Sequence, residues 1–537
     1  MKKWKVFSAV ALGVGAAAGG AYLYAKKNPE KVRRQAEISG HNALAKTLKG
    51  MSGILPSKPS LDFETYHDEN FLPGQSLFRE SAKRGVKWSL GYARRSILPE
   101  GFTGEDCYIA GFMSLPPNKV DGVIDDQAVR VIALDDNSWR GSAVFAVVDC
   151  IGLSAPEIRA IREELRDFAR EHNVCSINIS ATHCHSAVDT QGLWGDLPSM
   201  LKTNIKALRE KRYDDTVSGK NKAFMENFKQ QTVDAIKEAV LGMKKGTLSY
   251  VGTDEYKYAH DKRKPDVWIR DIGKLRFVPS DGSEETVAAF LAAHPVAVGD
   301  DNKSVSADYI YYMEEEMNKA NVNFIFFQGP QLAVTTDRGH IPPEFYDGEG
   351  EGYQRYGRHV AQFLLNIPEE QEEKLTPILN IRVKELLIPC DNAILVALAK
   401  LDIVSNRVIL KDGEPYFATE VGYAELGKYL HIGMVPGELA PEIAVGGAYS
   451  AEESYNRESW DFPSMREVLP DYGEMMVIGL CNDSVGYILP DNDYGSFFAS
   501  GHYEETVSAG KRAGSTIAKG FADLTAECAA MEIEQAV

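Results

Sequence analysis

The sequence predicts an α/β protein, a single large mixed α/β domain preceded by an N-terminal membrane helix. Three observations carry that expectation. From Trp88 onward, short apolar runs alternate with amphipathic helical patterns. Five of the apolar runs end in polar, chemically competent clusters. The first fifty residues differ in charge and hydropathy from everything after them.

The elements follow in order. VFAVVDCIGL (144–153) predicts a strand, and APEIRAIREELRDFAREH (155–172) an amphipathic helix opened by Ala-Pro. SINIS (176–180) is a second strand, and the stretch 223–246 has helical periodicity ending on Gly246. Strands are expected at 286–293, 323–327, 429–435 and 474–480, and helices at 306–320 and about 504–524. There is no internal repeat. The composition, 44% hydrophobic and 25% charged, is that of a globular body.

The net charge is −18, but residues 1–50 hold ten basic residues against two acidic ones, which leaves −26 for the remainder. So acidic a body excludes nucleic acid as a partner. Residues 6–25 form an uncharged stretch of twenty residues, about what a helix needs to span a bilayer. The aromatic-then-basic AYLYAKK that closes it favours a transmembrane anchor over a cleaved signal peptide. The expected division is therefore an anchor at 1–25, a basic linker at 26–80 and the α/β domain at 81–530. Flanking lysines and seven scattered cysteines favour the cytoplasmic face of the membrane for that domain, with the extracytoplasmic face as the alternative.

The clusters at the strand exits are ATHCHS, HPVAVGD, QGPQLAVTTD, PGE and CNDSVGY. In open α/β sheets, sites gather where side chains leave the carboxyl ends of strands. His183 and His185 project to one face of an extended segment, and Cys184 to the other. His294 before Pro295, Glu438 after Pro436-Gly437 and Tyr487 after Gly486 each have an ordinary packing explanation. Taken together, two imidazoles, a carboxylate and one further oxygen form a set that zinc accepts.

These motifs resemble the neutral, non-lysosomal ceramidases and their bacterial relatives, in order, from about Trp88 to Gly510. ATHCHS is similar to the family's A-T-H-T-H-S, and AAHPVAVGDDNKSVSAD to its I-H-P segment followed by S-x-D. PGELAPE resembles its P-G-E-x-T-T turn, GLCNDSVGYILPDNDY its G-L-x-N run, and HYEETVSAG its Y-E-A-A-S-T. The resemblance implies zinc held by His183, His294, Glu438 and Tyr487, with His185 in proton transfer and Tyr503 at a developing oxyanion. It matches Arg263 to a basic residue of the site, and makes Asp149 and Asp308 partners that orient imidazoles. The implied reaction is metal-assisted hydrolysis of an amide or ester bond in a lipid-like substrate.

The sequence also departs from the family. Thr336, or alternatively Thr335, stands where the family has a serine, and Ala333-Val334 replace its Gly-Asp. Ser186-Ala187-Val188-Asp189 replace Ser-Gly-Pro-Gly, and the family's C-terminal immunoglobulin-like domain is not expected. The loops facing the substrate have thus changed more than the metal set. Two other functions stay open, a zinc hydrolase of a soluble small molecule and a non-catalytic binding protein with a relic metal site.

Overall fold

Strands whose two faces are both apolar force a layered structure, because each face needs its own cover. Phe145 and Val147 face one way from strand Ser142–Val148, while Val144, Ala146 and Val148 face the other. Phe324 and Phe326 alternate in the same way with Ile325 and Phe327 on strand Val322–Gln328. The computed structural model describes residues 53–254, 259–336, 350–495 and 501–531, together with Gly40, Lys46, Gly50 and Ala499.

A nine-stranded sheet runs in the order Val322–Gln328, Glu285–Leu291, Ile272–Pro279, Lys244–Thr253, Trp88–Ser96, Ala128–Asp135, Ser142–Val148, Val174–Ala181, with Glu373–Leu375 paired to Lys244–Thr253. Its terminal pairs, 285–291 with 322–328 and 142–148 with 174–181, are parallel, and the pairings between them are antiparallel. A six-stranded sheet contains Leu61–Asp62, Ile409–Lys411, Glu414–Leu426, Leu430–Met434, Glu474–Ile478 and Leu379–Pro389. Trp88, Phe145, Phe277, Phe290 and Phe327 of the first sheet pack on Leu379, Ile381, Ile432, Met434 and Ile478 of the second.

Helices close both outer faces. Ala155–Glu171 has Pro156 in its first turn and lays Ile158, Ile161, Leu165 and Ala169 on the nine-stranded sheet beside Lys222–Leu241. Tyr309–Lys319 and Gly352–Leu365 cover the other half of that face. Ala513–Ala529 covers the six-stranded sheet with Ile517, Phe521 and Leu524. The architecture is a mixed α/β sandwich of four layers.

Several expectations are corrected. The helix expected over 223–246 stops at Leu241, and Gly246 belongs to a strand instead. A Cβ there would lie 2.3 Å from the Val278 carbonyl oxygen, so glycine allows close strand pairing rather than capping a helix. The last helix begins at Ala513 and not near 504, since Glu504–Val507 is a single 3-10 turn and Gly510 has φ +144°. The expected linker over 26–80 is too long. Leu61 pairs with Ile409, and Gln75 N–H donates to the Ile381 carbonyl at 2.9 Å, so residues 61–80 are tied into the six-stranded sheet.

The membrane expectation is corrected as well. Residues 6–25 lie outside the described residues, and among the described residues no helix is long and apolar enough to cross a membrane. The longest of them, Lys222–Leu241, carries Lys229, Asp234, Lys237 and Glu238. A single-pass anchor holding the domain on the cytoplasmic face is therefore not supported.

Candidate metal centre

The parallel strand pairs of both sheets point their carboxyl ends at one place, and backbone hydrogen bonds lock those ends together. Gly479 N–H donates to the Gln328 carbonyl at 2.8 Å, Asn482 N–H to Ile179 at 2.8 Å, and Val435 N–H to Ile478 at 3.0 Å. The chain then leaves each strand carrying one polar side chain inward. Glu438 and Tyr487 sit side by side as a parallel pair on two short strands.

His183, His294 and Glu438 are buried, and they meet. The Nε2 atoms of His183 and His294 lie 3.1 and 2.9 Å from the same carboxylate oxygen of Glu438. Each imidazole has its other nitrogen engaged, His183 Nδ1 with the Ile151 carbonyl at 2.7 Å and His294 Nδ1 with the Val334 carbonyl at 2.9 Å. A carbonyl only accepts, so each Nδ1 carries the proton and each Nε2 presents a lone pair. Two lone pairs and a carboxylate oxygen then face one another within about a hydrogen-bond length. His183 Nε2 makes no hydrogen bond there. A cation at this point relieves both the repulsion and the unsatisfied nitrogen. The residues fit a metal ion on these grounds.

Burial disfavours the Glu438 carboxylate, and positive charge at His183 and His294 would hold it down to about 2; with both Nε2 atoms presenting lone pairs, a cation between them takes that part. Burial pushes the Tyr487 hydroxyl well above the usual phenol range, and the Glu438 charge adds to the effect.

His185 completes a buried cluster of three histidines whose ligand atoms lie within 4.8 Å of one another. Neither of its ring nitrogens has a hydrogen-bond partner. Burial, reinforced by His183 and His294, pushes its basicity well below that of an ordinary imidazole. The ring packs 4.8 Å from Phe112 and against Gly111, whose φ is +107°. A Cβ on Gly111 would fall 2.5 to 2.7 Å from His185 atoms. His183 itself has φ +66°, a strained value for a residue with a side chain, and strain of this kind concentrates at working sites.

A cavity of about 610 Å³ opens over the cluster, lined by Phe112, His185, Lys262, His294, Asp300 and Tyr503 among others. Thr335 and Thr336 also line it, in different ways. Thr336 donates its hydroxyl to the His294 carbonyl at 3.1 Å, whereas the buried Thr335 hydroxyl has no partner. Tyr487 and Tyr503 stand edge to face, with ring centroids 6.1 Å apart.

Arg263 is placed elsewhere. Its guanidinium is held by Asp493 at 3.2 Å, Glu504 at 2.8 Å and Glu505 at 3.1 Å. These carboxylates outweigh its desolvation and push its basicity further up. The side chain is absent from the cavity wall, and it grips the turn that follows Tyr503. Asp149 does not orient an imidazole either. It accepts from Arg130 at 2.8 Å and from Ala128 N–H at 2.9 Å. Asp308 accepts from Val298 N–H at 3.0 Å and so supports the cavity wall.

The sequence reading missed Gln328. This fully buried side chain donates to the Thr182 carbonyl at 3.1 Å and to the Ala293 carbonyl at 2.8 Å, and accepts from Ala293 N–H at 3.0 Å. Those residues immediately precede His183 and His294, so one amide fixes both histidine stems. Its only mark in the sequence is that a polar residue ends the apolar run NFIFF.

A four-layer sandwich with a buried histidine–carboxylate cluster at the carboxyl ends of its parallel strands defines the class of protein. Its fold is that of the neutral ceramidases. A neutral ceramidase from Pseudomonas aeruginosa matches with a TM-score of 0.59 at 14% identity, over 84% of this chain and 76% of the other. A ceramidase structure described as complexed with C2 matches with a TM-score of 0.59 at 12% identity, over 84% of this chain and 77% of the other. No family model matches the chain, and no curated protein matches it by sequence. At such identities the likeness is one of fold, and function has to be argued from the site.

Proposed function

We propose that the chain is a zinc-dependent hydrolase that cleaves an amide, the N-acyl bond of a ceramide-like amphiphile, or an equivalent ester. The observation that supports this best is the convergence of two Nδ1-anchored imidazoles on one Glu438 oxygen. His183, His294 and Glu438 would hold the zinc, with Tyr487 as the further oxygen ligand. When bound, zinc supplies a Lewis acid for a carbonyl and lowers the pKa of water to about 7. The ceramidase names of both structural neighbours support an N-acyl lipid as substrate. So does the cavity, which joins apolar Phe112, Val298 and Leu332 to charged Lys262, Asp300 and Asp301.

The chain's own groups divide the remaining work. His185, neutral and with both nitrogens unengaged, accepts a proton at the cavity floor and returns it to the leaving nitrogen. Tyr503 donates from its hydroxyl to the oxyanion as charge develops there. Thr335, rather than Thr336, offers a hydroxyl to the substrate, because the Thr336 hydroxyl is already spent on a carbonyl. Arg263 positions the Tyr503 turn.

The direct test is hydrolysis of a short-chain N-acyl amino alcohol by the purified full chain. Activity is expected, lost on chelation and restored by zinc; turnover indifferent to chelation contradicts the proposal. Two variants refine it. Gly111→Ala is expected to displace His185 and lower turnover about a hundredfold, with metal content unchanged. Equal turnover in that variant removes His185 from the reaction. Thr335→Val is expected to cost up to about tenfold in kcat. Thr336→Val is expected to lower stability by about 1 kcal/mol in urea unfolding, with kcat kept.

A further inference from the structure

The cavity mouth carries an uncharged loop, GFMSLPPN, residues 111–118. Its base is closed by an antiparallel bridge between Tyr108 and Lys119, and Ile109 N–H donates to the Asn118 carbonyl at 2.8 Å. One side chain of the loop turns inward, Phe112, which lines the cavity and packs against the His185 ring. Two turn outward: Met113 is 74% and Leu115 91% exposed. Asn118 Nδ2 donates to the Asp300 carbonyl at 3.3 Å, joining the loop to another part of the cavity wall. A scattered exposed apolar residue needs no explanation, but here two project from an uncharged segment whose inner residue touches the candidate site.

We propose that this loop inserts into a lipid surface from which the cavity draws its substrate. The partner is the interface of neutral or zwitterionic lipids. Residues 111–118 hold no Lys or Arg, Lys119 stands alone at the base, and residues 51–537 carry −26, so attraction to the surface is mainly apolar. Pro116 and Pro117 restrict the backbone, so little conformational freedom is lost on docking. Phe112 then spans the step from surface to site. This inference rests on reading the site as one for a lipid-like amide.

The test uses the full chain with Ser114→Cys carrying an environment-sensitive fluorophore. Six of the native cysteines are buried and Cys175 is half-buried, which directs labelling to position 114. On phosphatidylcholine vesicles the emission is expected to shift to shorter wavelength and to be quenched by brominated acyl chains. The double variant Met113→Asp/Leu115→Asp is expected to abolish both effects. An unshifted emission from the chain with Met113 and Leu115 intact overturns the proposal. The same double variant, unlabelled, is expected to lose at least tenfold in hydrolysis of a long-chain N-acyl substrate held in vesicles. Its hydrolysis of a water-soluble short-chain analogue is expected to be unchanged. Equal loss on both substrates, or loss on neither, also overturns it. If the unsubstituted chain hydrolyses neither substrate, the proposed function fails, and the fluorescence alone decides the loop.

Discussion

Replacing His294 by alanine is expected to remove metal and hydrolysis together. The imidazole is anchored at Nδ1 and presents Nε2 2.9 Å from Glu438, an orientation that alanine cannot supply. Loss of an outer partner of a metal ligand already costs roughly 10–100-fold in affinity, and loss of the ligand itself costs more. The metal's charge stabilisation is worth several kcal/mol, so turnover is expected to fall on the order of a thousandfold or further. Metal content per chain and single-turnover hydrolysis read the two losses separately. Unaltered turnover in the metal-free variant would place the chemistry elsewhere.

Replacing Arg130 by methionine is expected to cost about 3–5 kcal/mol of stability, the toll of breaking a buried ion pair from one side. Arg130 is fully buried on the nine-stranded sheet, between Asp149 at 2.8 Å and Glu314 at 2.6 Å. Burial pushes the Asp149 carboxyl up, and Arg130 is the charge that counters it. Without the guanidinium, Glu314 keeps only Arg94 and the buried Asp149 loses its cation, and Asp149 lies two residues before the carbonyl of Ile151 that holds His183. Urea unfolding measures the cost. Adding Asp149→Asn to the variant is expected to recover part of it. A cost below about 1 kcal/mol would mean that the network is solvated and does not support the histidine loop.

The convergence of His183, His294, Glu438 and Tyr487 was legible because of where these residues sit. Short parallel strands buried on both faces read as unbroken apolar runs, and NFIFF and TVAAFLAA announce strands whose exits carry the chemistry. His183, His294, Glu438 and Tyr487 all follow such runs, and the structure brings them together. The long antiparallel strands were not legible. Trp88–Ser96 and Ile272–Pro279 carry Arg94, Lys274 and Arg276, and these charges are satisfied by Glu314, Glu372 and Glu285 from other elements. Local pattern alone cannot announce such partners. The same holds around the site. The carbonyls of Ile151 and Val334 fix the imidazoles, and a backbone carbonyl leaves no trace in sequence. Arg263 and Asp149 look like site residues by motif, yet each is taken up by charges distant in the chain. Thr335 and Thr336 differ in one hydrogen bond, that of Thr336 to the carbonyl of His294, which adjacent like residues do not announce.

The proposed hydrolysis requires a metal ion shared by His183, His294 and Glu438. An anomalous difference map recorded just above the zinc absorption edge, from crystals of the full chain, tests it directly. One strong peak is expected about 2.0–2.2 Å from His183 Nε2, His294 Nε2 and a Glu438 oxygen. The absence of a peak there, or a zinc peak bound only elsewhere on the chain, would rule out this metal site.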